Sequence, residues 1–92
     1  MDTINGLRKI IDDIDGQILD LIKSRLDVVK EIGEVKKINK INIVDEGREQ
    51  EIFDNLIKKA KEKNINPDVV KKIWDSLLEA AYKVEGDENA KS

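Results

Sequence analysis

The sequence predicts an all-α protein with one long and two shorter helices, and three observations lead to this prediction. Along the periodic segments, apolar residues recur every three or four positions, which is the spacing of a helix face rather than of a strand. Aromatic residues make up only 3% of the 92 residues and charged residues 40%, proportions that favour helices over a strand-rich fold. The only proline is Pro67, so little interrupts a long helix.

The first helix is predicted from about Ile4 to Ile38. At 1.5 Å per residue, some 35 residues extend over about 50 Å. A compact chain of this size has a radius of gyration of only about 13 Å, so two shorter helices cannot cover the first on every side. The sequence therefore predicts a partner chain. The apolar stripe consists of Leu7, Ile11, Ile14, Ile18, Leu21, Val28, Ile32 and Val35.

The second helix is predicted to begin after Asp45 and to end near Lys63. Asp45 is a favourable N-cap residue, because its carboxylate can accept a hydrogen bond from an amide of the first turn. Glu46 adds negative charge where the helix dipole favours it. Within the helix, apolar side chains repeat at helical spacing from Ile52 to Ala60.

The third helix is predicted to begin at Pro67, with Asn66 as its N-cap, because proline is favoured at the first helical position. Its apolar residues continue from Val70 to Val84. Residues 86–92 are polar and are expected to form a disordered tail. We therefore expect a single folded domain over residues 1–85.

Three charged residues fall on apolar helix faces. Arg25 interrupts the stripe of the first helix, and Lys36, eleven residues later, lies only about 20° away around the helix axis. Glu85 continues the inward row of the third helix. Charges on inward faces are costly unless they are paired or bind a ligand. That row consists of Trp74, Leu78, Ala81 and Glu85.

Two interpretations of these charges remain open on spacing alone. They could form internal salt bridges, such as Arg25 with Glu49 or Lys36 with Glu85. Alternatively, they could line a site for a small anion, since the arginine guanidinium suits planar carboxylates. The chain has no histidine or cysteine, so nucleophilic catalysis is not favoured. Any catalysis would then depend on positioning and electrostatics.

Composition argues against several other classes of protein. The net charge is −3, and the 17 basic and 20 acidic residues are intermixed, so no nucleic-acid or membrane partner is expected. The absence of cysteine and histidine excludes disulfides and the common zinc sites. No apolar run approaches the roughly 20 residues of a membrane span, and no signal-peptide pattern opens the chain. A cytoplasmic protein is expected.

The stretch "LRKIIDDIDGQILDLIKSRLDVVKEIGEVK", followed by "DEGRE", resembles the all-helical (AroQ-type) chorismate mutases. The resemblance extends from Leu7 to about Glu85 and includes the charged residues in order. It implies an intertwined homodimer of three-helix chains with shared active sites. It also implies the rearrangement of chorismate to prephenate, a unimolecular reaction of aromatic amino acid biosynthesis that needs no cofactor or metal.

The resemblance assigns three arginines to the carboxylates of the substrate. Arg25 resembles the arginine that grips one carboxylate, and Arg48 resembles another near the same end. Arg8 resembles an arginine that reaches in from the other subunit. The helical turn agrees, because the 17 steps from Arg8 to Arg25 rotate the helix by about 260° beyond whole turns, which leaves the two residues on different faces and poorly placed to serve one site.

The resemblance assigns the remaining residues to the ether oxygen and the ring. Lys36 resembles the donor to the ether oxygen, and Glu85 stands where relatives carry glutamine or glutamate as a second donor. Only a protonated carboxyl can donate, so activity is expected to rise as pH falls. Glu49 resembles the acceptor for the ring hydroxyl, assisted by the backbone near Asp45. Ala81 stands where some relatives have a hydroxyl residue.

Two alternatives remain. An isochorismate-pyruvate lyase shares this fold, although an acidic residue at Glu49 favours the mutase because it suits the hydroxyl of chorismate. A helical dimer without catalytic activity is the other. In a non-catalytic dimer, the presence of all five charged residues would be a coincidence. They are Arg8, Arg25, Lys36, Arg48 and Glu49. Prephenate formed from chorismate would distinguish all three.

Overall fold

The computed structural model describes residues 3–90, which form three helices and no strand. They are α1 (Thr3–Ile38), α2 (Glu46–Glu62) and α3 (Pro67–Ala90). The third helix packs against both others, so the all-α prediction is confirmed. None of the three helices is long and apolar enough to cross a membrane.

The predicted helix starts are confirmed by their hydrogen bonds. Asp45 Oδ1 accepts a bond of 2.9 Å from the Arg48 amide, which caps α2. Asn66 Oδ1 accepts one of 2.9 Å from the Asp68 amide at the start of α3. Both side chains satisfy amides that have no partner within the helix.

The first two helices end in the same way, on a residue in the left-handed region. Lys40 follows α1 with φ of 55°, and Asn64 follows α2 with φ of 57°. In each case the next amide returns to a carbonyl five residues earlier, Ile41 to Lys36 and Ile65 to Ala60, at 2.8 Å. This hydrogen bond stops the helix and reverses the chain.

The long first helix extends far beyond the other two. The chain measures 59 × 28 × 15 Å and has a radius of gyration of 16.8 Å, well above the roughly 13 Å of a compact chain. Only Val29 and Gly33 of α1 are buried. The predicted partner chain therefore has a large apolar surface to cover. Exposed apolar residues of this helix include Leu7, Ile11, Ile14, Ile18 and Leu21.

The third helix continues through the segment that was expected to be a disordered tail. It ends at Ala90, and Glu88 within this extension is only 7% exposed. Glu88 lies against Gly33 of α1, and its carboxylate is 4.0 Å from Lys30 Nζ. The tail prediction is therefore wrong for residues 86–90, because packing on α1 holds this polar segment helical. The rest of the predicted tail lies outside the described residues.

Candidate active site

A cavity of about 320 Å³ opens between the second half of α1, the start of α2 and the end of α3. Seven of the eight predicted site residues line this cavity. They come from separate parts of the sequence and are brought together by the packing of α3. The seven are Arg25, Lys36, Asp45, Arg48, Glu49, Ala81 and Glu85.

Arg8 is the predicted site residue that does not line this cavity. It is exposed on α1, 17 residues before Arg25, which corresponds to about 25 Å along the helix. No bend of the continuous helix α1 brings it nearer within the described chain. Its predicted role therefore requires a second chain.

Arg25 carries the clearest sign of a ligand site. Its Nη1 is buried and has no hydrogen-bond partner among residues 3–90. The suggested salt bridge with Glu49 is not among the ion pairs of these residues. A buried donor without a partner loses its hydration without compensation. The guanidinium that lines the cavity is thus available for an anion.

Lys36 and Glu85 do form the ion pair that spacing suggested. Lys36 Nζ lies 2.7 Å from Glu85 Oε1 and donates a 2.7 Å hydrogen bond to the Ile43 carbonyl. The two side chains are 18% and 5% exposed. The ion pair and the cavity therefore coexist, and both charged groups face the same space.

Asp45 and Arg48 occupy the edge of the cavity at the start of α2. The Asp45 carboxylate is engaged in capping that helix. The Arg48 guanidinium pairs with Glu51, and its side chain is 59% exposed. To contact a ligand in the cavity, Arg48 has to exchange this exposed ion pair, which contributes little to stability.

Tyr82 is a lining residue that the sequence did not predict. Burial, and after it the neighbouring Glu49 carboxylate, raise the pKa of Tyr82 above its usual range. Helical spacing could have identified Tyr82, because it lies three residues before Glu85 and four after Leu78, on the same helix face.

Between its charged residues, the wall of the cavity is apolar. Ala81 is 6% exposed and supplies a methyl group where some relatives have a hydroxyl. Such walls exclude water and strengthen the electrostatic effect of the cations and carboxylates among them. The arrangement suits a small anion with an apolar body. The aliphatic lining residues are Val28, Val29, Ile32, Ile43, Ile52 and Leu78.

Comparisons with known proteins agree with this architecture. The family model described as chorismate mutase type II matches residues 7–86. A chorismate mutase of Methanocaldococcus jannaschii is 40% identical over 73 residues, 79% of this chain and 74% of that protein. A T-protein of Enterobacter agglomerans is 30% identical over 89 residues, 97% of this chain but only 24% of that protein. This chain therefore corresponds to about a quarter of that relative.

A more distant relative is the 4-amino-4-deoxychorismate mutase of Streptomyces pristinaespiralis. It is 24% identical over 86 residues, which is 94% of this chain and 67% of that protein. The fold and the cavity define an all-helical protein whose three helices enclose a cavity lined by cations and carboxylates. The chain belongs to the chorismate mutase type II family.

Proposed function

We propose that this chain is a chorismate mutase that rearranges chorismate to prephenate in the cavity between its helices. The observation that carries the proposal is the buried Arg25 Nη1, which has no partner among the described residues, in a cavity that also contains Lys36. Chorismate is a dicarboxylate with an apolar ring, and these features match such a cavity.

The direct test is an assay for prephenate formed from chorismate by the purified protein. Catalysis should need no added cofactor or metal. A preparation that is folded but leaves chorismate unchanged contradicts the proposal. Parallel assays with isochorismate and with 4-amino-4-deoxychorismate distinguish a lyase and an amino-substrate mutase, the second because of the Streptomyces pristinaespiralis relative.

The proposed mechanism is a restriction of conformation followed by charge stabilisation. Arg25 binds one carboxylate, and the apolar walls hold the enolpyruvyl arm folded over the ring. Binding this reactive conformer removes much of the entropic barrier. Negative charge then develops on the ether oxygen, where Lys36 is positioned to donate a hydrogen bond.

Lys36 and Glu85 change partners in this mechanism. Their ion pair of 2.7 Å occupies the lysine that the ether oxygen requires. Lys36 has three donor hydrogens, one of which bonds the Ile43 carbonyl. It can therefore keep that anchor while it donates to the substrate. Glu85 contributes a second donor when its carboxyl is protonated.

The charge balance of the cavity supports a shared site. One chain contributes three cations and three carboxylates to the lining, which leaves no excess positive charge for a dianionic substrate. We propose that Arg8 of a second copy supplies the missing cation in an intertwined homodimer. The exposed apolar stripe of α1 forms the interface. A cytoplasmic location remains a prediction.

A further inference from the structure

We infer that Ile43 is a positioning residue, whose main-chain carbonyl holds the Lys36 ammonium directed at the ether oxygen of the substrate. The inference rests on the proposed function, because it takes from that proposal the role of Lys36 as a donor. It adds to the site a residue that the family resemblance did not include. Ile43 acts through Lys36, and its carbonyl does not itself touch the reacting atoms.

The connection between α1 and α2, residues 39–45, holds Lys36 at both of its ends, and we call it the strap. At the main chain, the Ile41 amide donates a 2.8 Å hydrogen bond to the Lys36 carbonyl. At the tip of the side chain, Lys36 Nζ donates a 2.7 Å hydrogen bond to the Ile43 carbonyl. One short segment therefore fixes both the backbone and the ammonium of the same lysine.

The strap is itself fixed, which makes the Ile43 carbonyl a well-placed acceptor. Near its start, Lys40 has a φ of 55° and reverses the chain. At its end, the Asp45 carboxylate caps α2. Between them Ile43 is half-buried and lines the cavity, whereas Ile41 and Val44 are 52% and 54% exposed. The strap thus turns its middle residue toward the site.

The ammonium group has three hydrogens to place, which is why this anchor matters. One bonds the Ile43 carbonyl, and the Glu85 carboxylate lies 2.7 Å from the same nitrogen. When the Glu85 ion pair gives way to the substrate, the Ile43 carbonyl is the hydrogen-bond partner that Lys36 keeps among residues 3–90. A lysine side chain has much rotamer freedom to lose. Holding it in place beforehand avoids reorganisation when charge develops on the ether oxygen.

The expected effect is on the chemical step rather than on binding. Charge develops on the ether oxygen in the transition state, so a misdirected donor lowers kcat and leaves KM nearly unchanged. The test replaces the amide between Ile43 and Val44 by an ester, in a chain assembled by chemical ligation. Every side chain stays in place, and the Ile43 carbonyl becomes a weaker acceptor. We expect kcat to fall about 10-fold, near the lower end for a hydrogen bond to a charged group.

The matched control is an ester between Ile41 and Asn42, two residues earlier in the strap. Neither the Ile41 carbonyl nor the Asn42 amide forms a hydrogen bond among residues 3–90, and the Val44 amide lost in the test variant forms none either. Ile41 and Asn42 do not line the site cavity. The control should keep the kcat and KM of the parent. Melting temperatures, measured by circular dichroism, separate a loss of folding from a change in kcat.

A cycle with Lys36→Ala tests whether the carbonyl acts through the lysine. The ester between Ile43 and Val44 should cost about 10-fold in kcat when Lys36 is present and about twofold or less when it is alanine. A second measurement does not depend on activity. In nitrogen-15 NMR spectra of the free protein, the ammonium signal that Lys36→Ala lacks should exchange its protons with water faster in the ester chain than in the parent.

Three results would overturn the inference. They are an ester chain with the kcat of the parent, an equal loss of kcat with and without Lys36, and an unchanged rate of proton exchange at the ammonium. A parent that does not convert chorismate instead refutes the proposed function. The exchange measurement still tests the anchor in that case, so the two failures are distinguishable.

Discussion

The two halves of α1 have opposite environments, although they share one continuous helix and one apolar stripe. From Thr3 to about Ser24 the helix has no buried residue, and its isoleucines and leucines other than Ile22 are exposed. From Arg25 to Ile38 it packs against α3 through Val29 and Gly33 and lines the cavity. The same periodicity thus produces a wall of the site in one half and an unpartnered surface in the other.

This difference indicates how a chain of 92 residues can build an enclosed site. The second half has its partner within the chain, because α2 and α3 return to it. The first half extends away from them and is left exposed. In the proposed homodimer a second chain covers it, its apolar surface and Arg8 serve the partner's site, and folding and catalysis depend on the same association.

The largest expected effect comes from disrupting the apolar surface of the first half of α1. Ile14 is 44% exposed in one chain and should be buried between chains. Ile14→Lys places an unpaired charge there, so the dimer should dissociate, and helical content and activity should be lost together. Sedimentation velocity and circular dichroism measure both. Glu62→Lys, on the exposed end of α2, is the control. A folded and active Ile14→Lys monomer would contradict the shared-site proposal.

Substituting the cations of the second half of α1 should affect catalysis more than folding. Arg25→Ala and Lys36→Ala should each lower kcat/KM about 10²–10³-fold, the usual cost of one donor at developing charge. Helical content should remain close to that of the parent. Arg25→Ala should not lower the melting temperature, because it removes a buried cation that has no partner in the described chain. If activity instead follows the folded fraction, the two residues are structural.

The contact between α1 and α3 offers a smaller change. A Cβ at Gly33 would lie 3.1 Å from the Glu85 Cα and 3.3 Å from the Glu88 Cβ. Gly33→Ala should push the helices apart, displace Glu85 from its place in the cavity and lower kcat/KM about 10-fold. The free energy of unfolding should fall by about 1–3 kcal/mol, the usual cost of overpacking.

The matched control for that substitution is Gly86→Ala. Gly86 is adjacent to Glu85 on α3, yet its added Cβ would meet nothing within 4 Å. Alanine should stabilise the helix there by roughly 0.5–1 kcal/mol and leave activity unchanged. Equal effects of the two substitutions would show that close packing at Gly33 does not position Glu85. Kinetics and thermal melts on both variants provide the comparison.

Mixing variants tests whether the two halves meet across chains. Arg8→Ala and Arg25→Ala homodimers should both be nearly inactive. After unfolding and refolding together, heterodimers should contain one intact site, with Arg25 from one chain and Arg8 from the other. Random pairing gives about a quarter of the parental activity. If activity does not recover although mass spectrometry detects heterodimers, Arg8 and Arg25 of different chains do not share a site.

The smallest effect is expected from Glu85→Gln. Only a protonated carboxyl can donate to the ether oxygen, whereas the Glu85 carboxylate pairs with Lys36. The glutamine amide always carries donor hydrogens, so the rate of Glu85→Gln should be at least equal to the parent's. Glu85→Ala should be slow. A glutamine variant as slow as the alanine variant in the same assay would remove Glu85 from this role.

The sequence alone determined the helices and their caps. Helical spacing, Asp45, Asn66 and Pro67 are local signals, and local hydrogen bonds confirm them. Periodicity also identified the inward charges, because the direction of a side chain on a helix follows from its position. The resemblance added Asp45, Arg48, Glu49 and Ala81 to the candidate site, and the folded chain brings them around one cavity with Arg25.

Tertiary structure alone decided the partners of those charges. Lys36 pairs with Glu85 while Arg25 Nη1 has no partner in the described chain, although spacing treated the two cations alike. The close packing of α3 on α1 at Gly33 also accompanies a third helix that continues to Ala90. The polar composition of residues 86–90 had predicted a disordered tail there. These outcomes depend on distances between helices, and no periodicity within one helix contains that information.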